Sequence, residues 1–169
     1  QVEKDAVEEV NRRWQLGHDP MFLFVGQMNW KKNIRTVLDG CALLKKQGRH
    51  FHLILAGQGP DMKEIEERIY QNGLQENTHL AGHVTDMKLL DGLYARADVF
   101  AFPSLYDSAP MVIREAAVMG TPSVLVRGSC AADVVRDREN GYLCENSPES
   151  LCSVLEEVLN DRESLQVIG

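Results

Sequence analysis

The sequence lacks long apolar runs and a leader-like beginning. No apolar stretch approaches the roughly 20 residues that a membrane-spanning helix needs. The first residues show no basic segment followed by an apolar one, which is the pattern of a secretory signal. These absences argue against a helix that crosses a membrane and give no sign of secretion, so we expect a cytoplasmic protein.

Positive charge and cysteine are also scarce. The 18 Lys and Arg residues are outnumbered by 25 Asp and Glu residues, and the net charge is −7. A nucleic-acid binder needs a basic face, so we expect no nucleic-acid partner. The four cysteines contain no C-x-x-C pair and match no zinc spacing. We expect free thiols in a reducing compartment and no bound metal.

The chain has the length and composition of one globular domain. It has 169 residues, of which 44% are apolar and 25% are charged. Short apolar runs alternate with segments of helical periodicity, which predicts a parallel sheet with connecting helices. We predict strands at 22–25, 51–56, 78–81, 98–102, 123–126 and 141–144, and helices at 34–47, 61–72, 86–95, 110–120 and from 147 onward.

The first 19 residues differ from the remainder. They are polar and helical in pattern, and Gly17 to Pro20 sets them apart. We interpret residues 1–19 as a linker or an entering helix, and residues 20–169 as the domain. Ligands of parallel α/β sheets lie beyond the carboxyl ends of the strands, so the residues that follow each strand are the first candidates for a site.

The loop after the first predicted strand, Gly26 to Asn33, is the first candidate. Glycine allows a ligand to approach the backbone closely. Lys32, with Gln27, could hold a diphosphate, and the alternative is a solvated basic turn. After the second strand, Gly57-Gln-Gly-Pro60 is not a dinucleotide fingerprint and favours a tight turn. After the third, His83 either lines a cleft or is an ordinary surface residue.

The segment from Phe102 to Pro122 combines a strand end, a turn and a helix that begins near Pro110. A helix N-terminus offers free N–H groups to an anion such as a phosphate. Asp107 and Glu115 could accept hydrogen bonds from sugar or ribose hydroxyls. Two alternatives are a glycosidase-like pair of acids and, for Glu115, an ion pair with Arg114 or Arg127.

Five motifs in order resemble those of the retaining GT-B glycosyltransferases (glycosyl transferases group 1), specifically their C-terminal nucleotide-sugar domain. They are Phe24-Val-Gly-Gln-Met-Asn-Trp-Lys-Lys-Asn33, Gly57-Gln-Gly-Pro60, Ala97-Asp-Val-Phe-Ala-Phe-Pro-Ser104, the segment from Asp107 to Ser123, and Asn140-Gly-Tyr-Leu143. The resemblance implies a Rossmann-like parallel sheet with helices on both faces, which is a single half of a GT-B fold.

The resemblance also implies a role for each matched residue. Lys32 corresponds to the lysine that binds the donor diphosphate and leaving group, and Asp107 to the acid that faces the donor sugar; these are the implied catalytic residues. Glu115 corresponds to the ribose ligand. The other implied donor-binding residues are Gly26, Gln27, Gly57, His83, Val84, Ser104 and, through backbone N–H groups, Met111 and Val112.

Several positions depart from the family pattern. Gln27 stands where the family has arginine, and Lys31 where it has an acid. Asp107 is one methylene shorter than the usual glutamate. Ser108-Ala-Pro110 replaces Gly-Phe-Gly and removes one backbone donor. These departures concern the contacts to the donor sugar rather than the fold.

The implied activity is transfer of a sugar from a UDP- or GDP-sugar, by a hexosyltransferase-type enzyme that retains anomeric configuration and needs no metal or other cofactor. The acceptor would belong to cell-envelope glycan, polysaccharide or glycolipid synthesis, so the full-length protein could associate peripherally with the inner face of the membrane. The N-terminal acceptor domain is absent, so we expect this domain to be inactive alone. Alternatives are a GT-B-type sugar-nucleotide epimerase, a non-catalytic nucleotide-sugar-binding domain and a flavodoxin-like interaction domain.

Overall fold

The computed structural model describes residues 2–106 and 110–168, with the side chains of 4–106 and 111–163. In this part of the chain, six strands alternate with six α-helices, and two short 3-10 helices cover Trp30–Lys32 and Ala132–Val134. The strands are β1 (Met21–Val25), β2 (His52–Ala56), β3 (Thr78–Gly82), β4 (Val99–Phe102), β5 (Ser123–Val126) and β6 (Gly141–Cys144). The helices are α1 (Val2–Trp14), α2 (Ile34–Lys46), α3 (Met62–Gln71), α4 (Met87–Arg96), α5 (Pro110–Val118) and α6 (Pro148–Ile168).

The strands form one parallel sheet in the order β3-β2-β1-β4-β5-β6. The order reverses between β1 and β4, which makes this a doubly wound, Rossmann-like sheet. Because all strands run the same way, the loops that follow them meet at one edge, called here the carboxyl edge. The opposite edge, where the strands begin, is called the amino edge. The predicted fold class is confirmed.

Apolar side chains bury both faces of the sheet. Along β1, Phe22 and Phe24 join a core cluster with residues of α2, α3 and α6, whereas Met21 and Leu23 join a second cluster with α1, α4 and α5. A parallel strand covered on both faces needs a continuous apolar run, and β1 provides one. Among the described helices, none is both long enough and apolar enough to cross a membrane.

The segment before β1 packs onto the domain as a helix. Val10 and Leu16 are fully buried in the second core cluster. Gly92 of α4 lies so close to α1 that a Cβ atom there would be 2.7 Å from the carbonyl oxygen of Ala6. Of the two forms left open for residues 1–19, the structure has a helix over Val2–Trp14. The boundary at residue 20 stays a prediction.

Side chains cap the starts of α4 and α6 but not the start of α3. The Asp86 carboxylate accepts hydrogen bonds from the N–H groups of Lys88 and Leu89 at the start of α4, and the Ser147 hydroxyl accepts from Ser150 N–H in α6. Asp61 occupies the position before α3, but its side chain does not cap that helix. The carboxylate accepts from Trp30 N–H at 2.9 Å instead, because the turn after β2 brings Asp61 beneath the loop after β1.

Candidate functional site

The carboxyl edge gathers most of the residues that the sequence singled out. Gly26 and Gln27 follow β1, Gly57 follows β2, His83 and Val84 follow β3, and Ser104 follows β4. The remaining described candidates lie in or beside helices that begin at the same edge: Lys32 in the 3-10 helix before α2, and Met111, Val112 and Glu115 in α5. Asp107 lies outside the described residues.

A cavity of about 330 Å³ lies between the loops that follow β1, β2 and β3. Its lining includes five of the predicted donor-binding residues, namely Gly26, Gln27, Gly57, His83 and Val84. Gln27 and His83 are exposed, so their polar atoms are accessible from solvent. The tertiary structure therefore brings together residues from three separate loops, as the parallel topology predicts.

The glycine turn after β2 holds the loop after β1 in place. Gly57 has φ +144°, and a Cβ there would lie 1.8 Å from the carbonyl oxygen of Gly26. A Cβ at Gly59 would lie 2.6 Å from the carbonyl oxygen of Met28. Met28 N–H donates to the carbonyl of Gln58, and Asp61 N–H donates to that of Met28. The tight turn favoured from the sequence is therefore also a contact surface for the loop after β1.

Lys32 lies at the end of the 3-10 helix and is half-buried. The helix begins at Asn29, whose side chain accepts a hydrogen bond from Lys31 N–H at 2.9 Å. Lys32 N–H donates to the carbonyl of Asn29, also at 2.9 Å. These hydrogen bonds fix the backbone of Lys32 in the segment that also supplies Gly26 and Gln27 to the cavity, although Lys32 does not line the cavity itself.

Asn33 connects the lysine loop to two other loops, and sequence reasoning did not identify it. Its side-chain amide donates to the carbonyl of Pro103 after β4 at 3.0 Å and to the side chain of Asn146 after β6 at 2.9 Å. Its side-chain oxygen accepts from the Thr36 hydroxyl. Its φ is +62°, in the left-handed region that favours glycine and tolerates asparagine. The sequence did contain one sign of this role: the family motif has glycine where this chain has Asn33.

Residues of α5 line a second hollow, of about 370 Å³, together with residues of α4. Met111, Glu115 and Asp91 are among its lining residues. Burial raises the pKa of the Glu115 carboxyl, and the nearby Asp91 carboxylate raises it further. Asp91 was not predicted, because its proximity to Glu115 depends on how α4 and α5 pack.

The N-terminus of α5 faces the carboxyl edge. Met111 and Val112 belong to the first turn, where backbone N–H groups have no partner within the helix. Such groups can donate to a phosphate. Ser104 is only 2% exposed, so its side chain is covered.

The two arginines considered as ion-pair partners of Glu115 lie in different environments. Arg127 donates to Glu145 at 3.1 Å and to Asp137 at 3.4 Å, since it follows β5 beside the loops around β6. Arg114 is exposed and shares the second hollow with Glu115. Within the described residues, the charge that shifts the pKa of Glu115 is therefore the negative one of Asp91, and neither arginine forms an ion pair with this carboxyl.

The fold is a doubly wound domain in which the described site candidates lie along the carboxyl edge. Residues 7–169 match the family described as "Glycosyl transferases group 1". An uncharacterized glycosyltransferase, MJ1607 of Methanocaldococcus jannaschii, is 30% identical over 159 residues, which cover 91% of this chain and 40% of the relative. The chain belongs to the glycosyl transferases group 1 family and has the fold of a GT-B domain.

Two further comparisons extend this likeness. A GDP-mannose-dependent alpha-(1-6)-phosphatidylinositol dimannoside mannosyltransferase of Mycobacterium tuberculosis (strain ATCC 25177 / H37Ra) is 24% identical, over 91% of this chain and 39% of that protein. The crystal structure of Anabaena Alr3699/HepE with UDP superposes with a TM-score of 0.79 at 20% identity, over 94% of this chain and 44% of that one. The chain thus spans less than half the length of these relatives.

Proposed function

We propose that the chain is the C-terminal, donor-binding domain of a retaining glycosyltransferase of the hexosyltransferase type. The donor is a UDP- or GDP-sugar, and the acceptor belongs to cell-envelope glycan, polysaccharide or glycolipid synthesis. The observation that carries this proposal is the cavity at the carboxyl edge, where three loops place Gly26, Gln27, Gly57, His83 and Val84 together beside the helix that bears Lys32. UDP in HepE and the GDP-mannose dependence of the mycobacterial enzyme support this donor class.

The reaction requires stabilisation of negative charge on the departing diphosphate. The Lys32 ammonium and the first-turn N–H groups of α5 are donors suited to that charge, and neither needs a metal ion. The Gln27 amide replaces an arginine and provides a hydrogen bond without charge. The Glu115 carboxylate accepts hydrogen bonds from the ribose hydroxyls, and Asp107 faces the donor sugar.

Nucleotide binding tests the assignment of the site. Titration calorimetry of the chain with UDP, GDP, UDP-glucose and GDP-mannose should detect binding either of the two uridine compounds or of the two guanosine compounds. Lys32→Ala should weaken that binding by about 10- to 150-fold, because a hydrogen bond to a charged group contributes about 1.5–3 kcal/mol. Lys46→Ala is the matched control, since Lys46 is an exposed lysine at the far end of α2. Equal affinities of the two variants would refute the role of Lys32.

Activity of the chain by itself tests the need for a second domain. We propose that an N-terminal domain, absent here, binds the acceptor, so the isolated chain should release almost no sugar from its donor. A longer protein that includes such a domain should transfer the sugar with retained anomeric configuration and in the presence of EDTA. Full turnover by the 169-residue chain alone would contradict the two-domain requirement.

A non-catalytic nucleotide-sugar-binding domain is the second candidate. Gln27 favours it, because the loss of an arginine charge weakens the stabilisation of a leaving diphosphate more than the binding of a ground-state donor. Both candidates bind nucleotide, so affinity does not separate them. Transfer by the longer protein supports the first candidate, and tight donor binding without transfer supports the second.

A further inference from the structure

At the amino edge of the sheet, two histidines converge on one carboxylate. The Asp19 Oδ2 atom lies 3.0 Å from His50 Nε2 and 3.1 Å from His52 Nε2. One ligand atom from each of the three residues lies within 4.8 Å of the others. The His52 side chain is 11% exposed and that of His50 is 65% exposed, so the cluster has a buried wall and an open side.

Parallel pairing of β1 and β2 creates this arrangement. Met21 pairs with His52, and His52 N–H donates to the carbonyl of Pro20, so Asp19 lies level with His50. His50 and His52 are two residues apart in an extended segment, which directs their side chains to the same face. The backbone therefore holds three potential ligands in place before any ion arrives.

We propose that Asp19, His50 and His52 bind a divalent transition-metal ion, with Zn²⁺ the best match. Neutral imidazole and carboxylate are ordinary zinc ligands, and bonds of about 2.0–2.1 Å in a tetrahedron place ligand atoms about 3.3 Å apart. The two measured separations need to widen by only a few tenths of an ångström. Water would complete the fourth position on the open side.

His79 in β3 supports the ligand geometry of His52. The His79 Nε2 atom lies 3.0 Å from His52 Nδ1, and the two rings stack. When His52 Nε2 binds a metal, the ring proton resides on Nδ1 and donates to His79 Nε2. Such an outer hydrogen bond fixes the tautomer and orientation of a metal-binding histidine.

The charged groups around the cluster leave the Asp19 carboxylate accessible. Arg96 donates to the backbone carbonyl of Asp19, and Arg162 donates to that of His18. The side chains of both arginines also contact Asp98. These arginines are thus engaged by other acceptors and do not pair with the Asp19 carboxylate within the described contacts.

The site is distant from the proposed donor site. The two lie at opposite edges of the sheet and are separated by the length of β2, about 16 Å for five residues at about 3.3 Å each. The ion would therefore join the entry of β1 to that of β2 and stabilise the fold, and would take no part in sugar transfer.

Zinc titration of the chelator-treated chain tests the proposal. We expect one Zn²⁺ per chain by calorimetry, a higher melting temperature with ZnCl2, and tetrahedral Co²⁺ absorption bands. His50→Ala and Asp19→Asn should each weaken Zn²⁺ binding at least 100-fold, since ligands contribute more than outer-shell partners. His79→Gln should weaken binding by about 10- to 100-fold.

His18→Ala is the matched control, because His18 is an exposed neighbour of the cluster and should leave zinc affinity unchanged. Absence of zinc binding by the parent chain would overturn the proposal. So would unchanged affinity in His50→Ala and Asp19→Asn. Binding that survives His50→Ala and disappears in Cys130→Ser would assign the ion to the exposed Cys130 thiol instead.

Discussion

The two edges of the sheet use their polar groups differently. At the amino edge, the Asp98 carboxylate accepts a hydrogen bond from Met21 N–H at 2.9 Å and from Arg162 Nε at 3.0 Å, and Arg96 lies 3.7 Å away. At the carboxyl edge, the loops are joined mainly through backbone groups: Gly26 N–H donates to Ala56 and Gly57 N–H donates to Gly82.

This difference separates stability from binding. Side chains of the amino edge bind one another and connect strands, α1 and α6 into one unit. Backbone contacts of the carboxyl edge fix the loops while leaving side chains such as Gln27 and His83 exposed. Substitutions at the first edge should therefore change mainly stability, and substitutions at the second should change nucleotide affinity as well.

Gly57→Ala should have the largest effect and would sharpen the comparison at the carboxyl edge. The added Cβ would overlap the carbonyl oxygen of Gly26, so the free energy of unfolding should fall by about 3 kcal/mol or more. Gly48→Ala is the control, because its φ is +81° but nothing lies within 4 Å. It should lose only about 1–2 kcal/mol. Urea denaturation measures both, and equal losses would refute the close contact.

Asp98→Ala tests the amino edge. Loss of an acceptor shared by one N–H group and two arginines should lower the free energy of unfolding by about 2–3 kcal/mol. Nucleotide affinity of the folded protein should not change. Asp98→Asn keeps an oxygen acceptor and should lose less. A fall in nucleotide affinity at a temperature where Asp98→Ala remains folded would break the separation of the two edges.

Asn33→Ala should reduce both the stability of the domain and its affinity for nucleotide. It should lower the free energy of unfolding by about 1–2 kcal/mol, through lost amide hydrogen bonds and the left-handed backbone. It should also weaken nucleotide binding, because Lys32 precedes it. Asn33→Gly relieves the backbone without restoring the amide, so it should recover part of the stability. Unchanged nucleotide affinity in both variants would remove Asn33 from the positioning of Lys32.

Glu115→Gln should have the smallest effect, under about 1 kcal/mol for a partly exposed group. Burial and Asp91 raise the pKa of Glu115 in the folded chain. At a pH below the unfolded pKa, the carboxyl is protonated in both states and its ionisation does not change the free energy of unfolding. It lowers stability as pH rises through the unfolded pKa and then the folded pKa. The variant should therefore match the parent chain in acid and exceed it at neutral pH in urea denaturation. A variant less stable than the parent at neutral pH would contradict the raised pKa.

The elements of the fold were readable from local pattern. Apolar runs such as Phe22 to Val25 and the periodic spacing of 34–47 identified strands and helices to within a residue or two. The Asp86 cap acts within its own helix, through the N–H groups of Lys88 and Leu89. The Asp61 carboxylate instead bonds to Trp30, 31 residues away in the chain, which no local pattern reveals.

The site was readable only in part. Motif order identified the loops with Gln27, Lys32 and Gly57, since the carboxyl ends of parallel strands must share one edge. The proximity of Asp91 to Glu115 and the hydrogen bonds of Asn33 could not be predicted, because helix packing and loop approach determine them. The cluster of Asp19, His50 and His52 could not be predicted for the same reason, although the two histidines stand only two residues apart in the sequence.

The sequence by itself determined the class of fold, the family and the edge of the sheet where the site candidates meet, because these follow from periodicity, glycine positions and ordered motifs. Only the tertiary structure decided which distant side chains touch. Strand register placed Asp19 beside two histidines, and packing placed Asp91 near Glu115. Register and packing depend on the whole core, which no local stretch of sequence encodes.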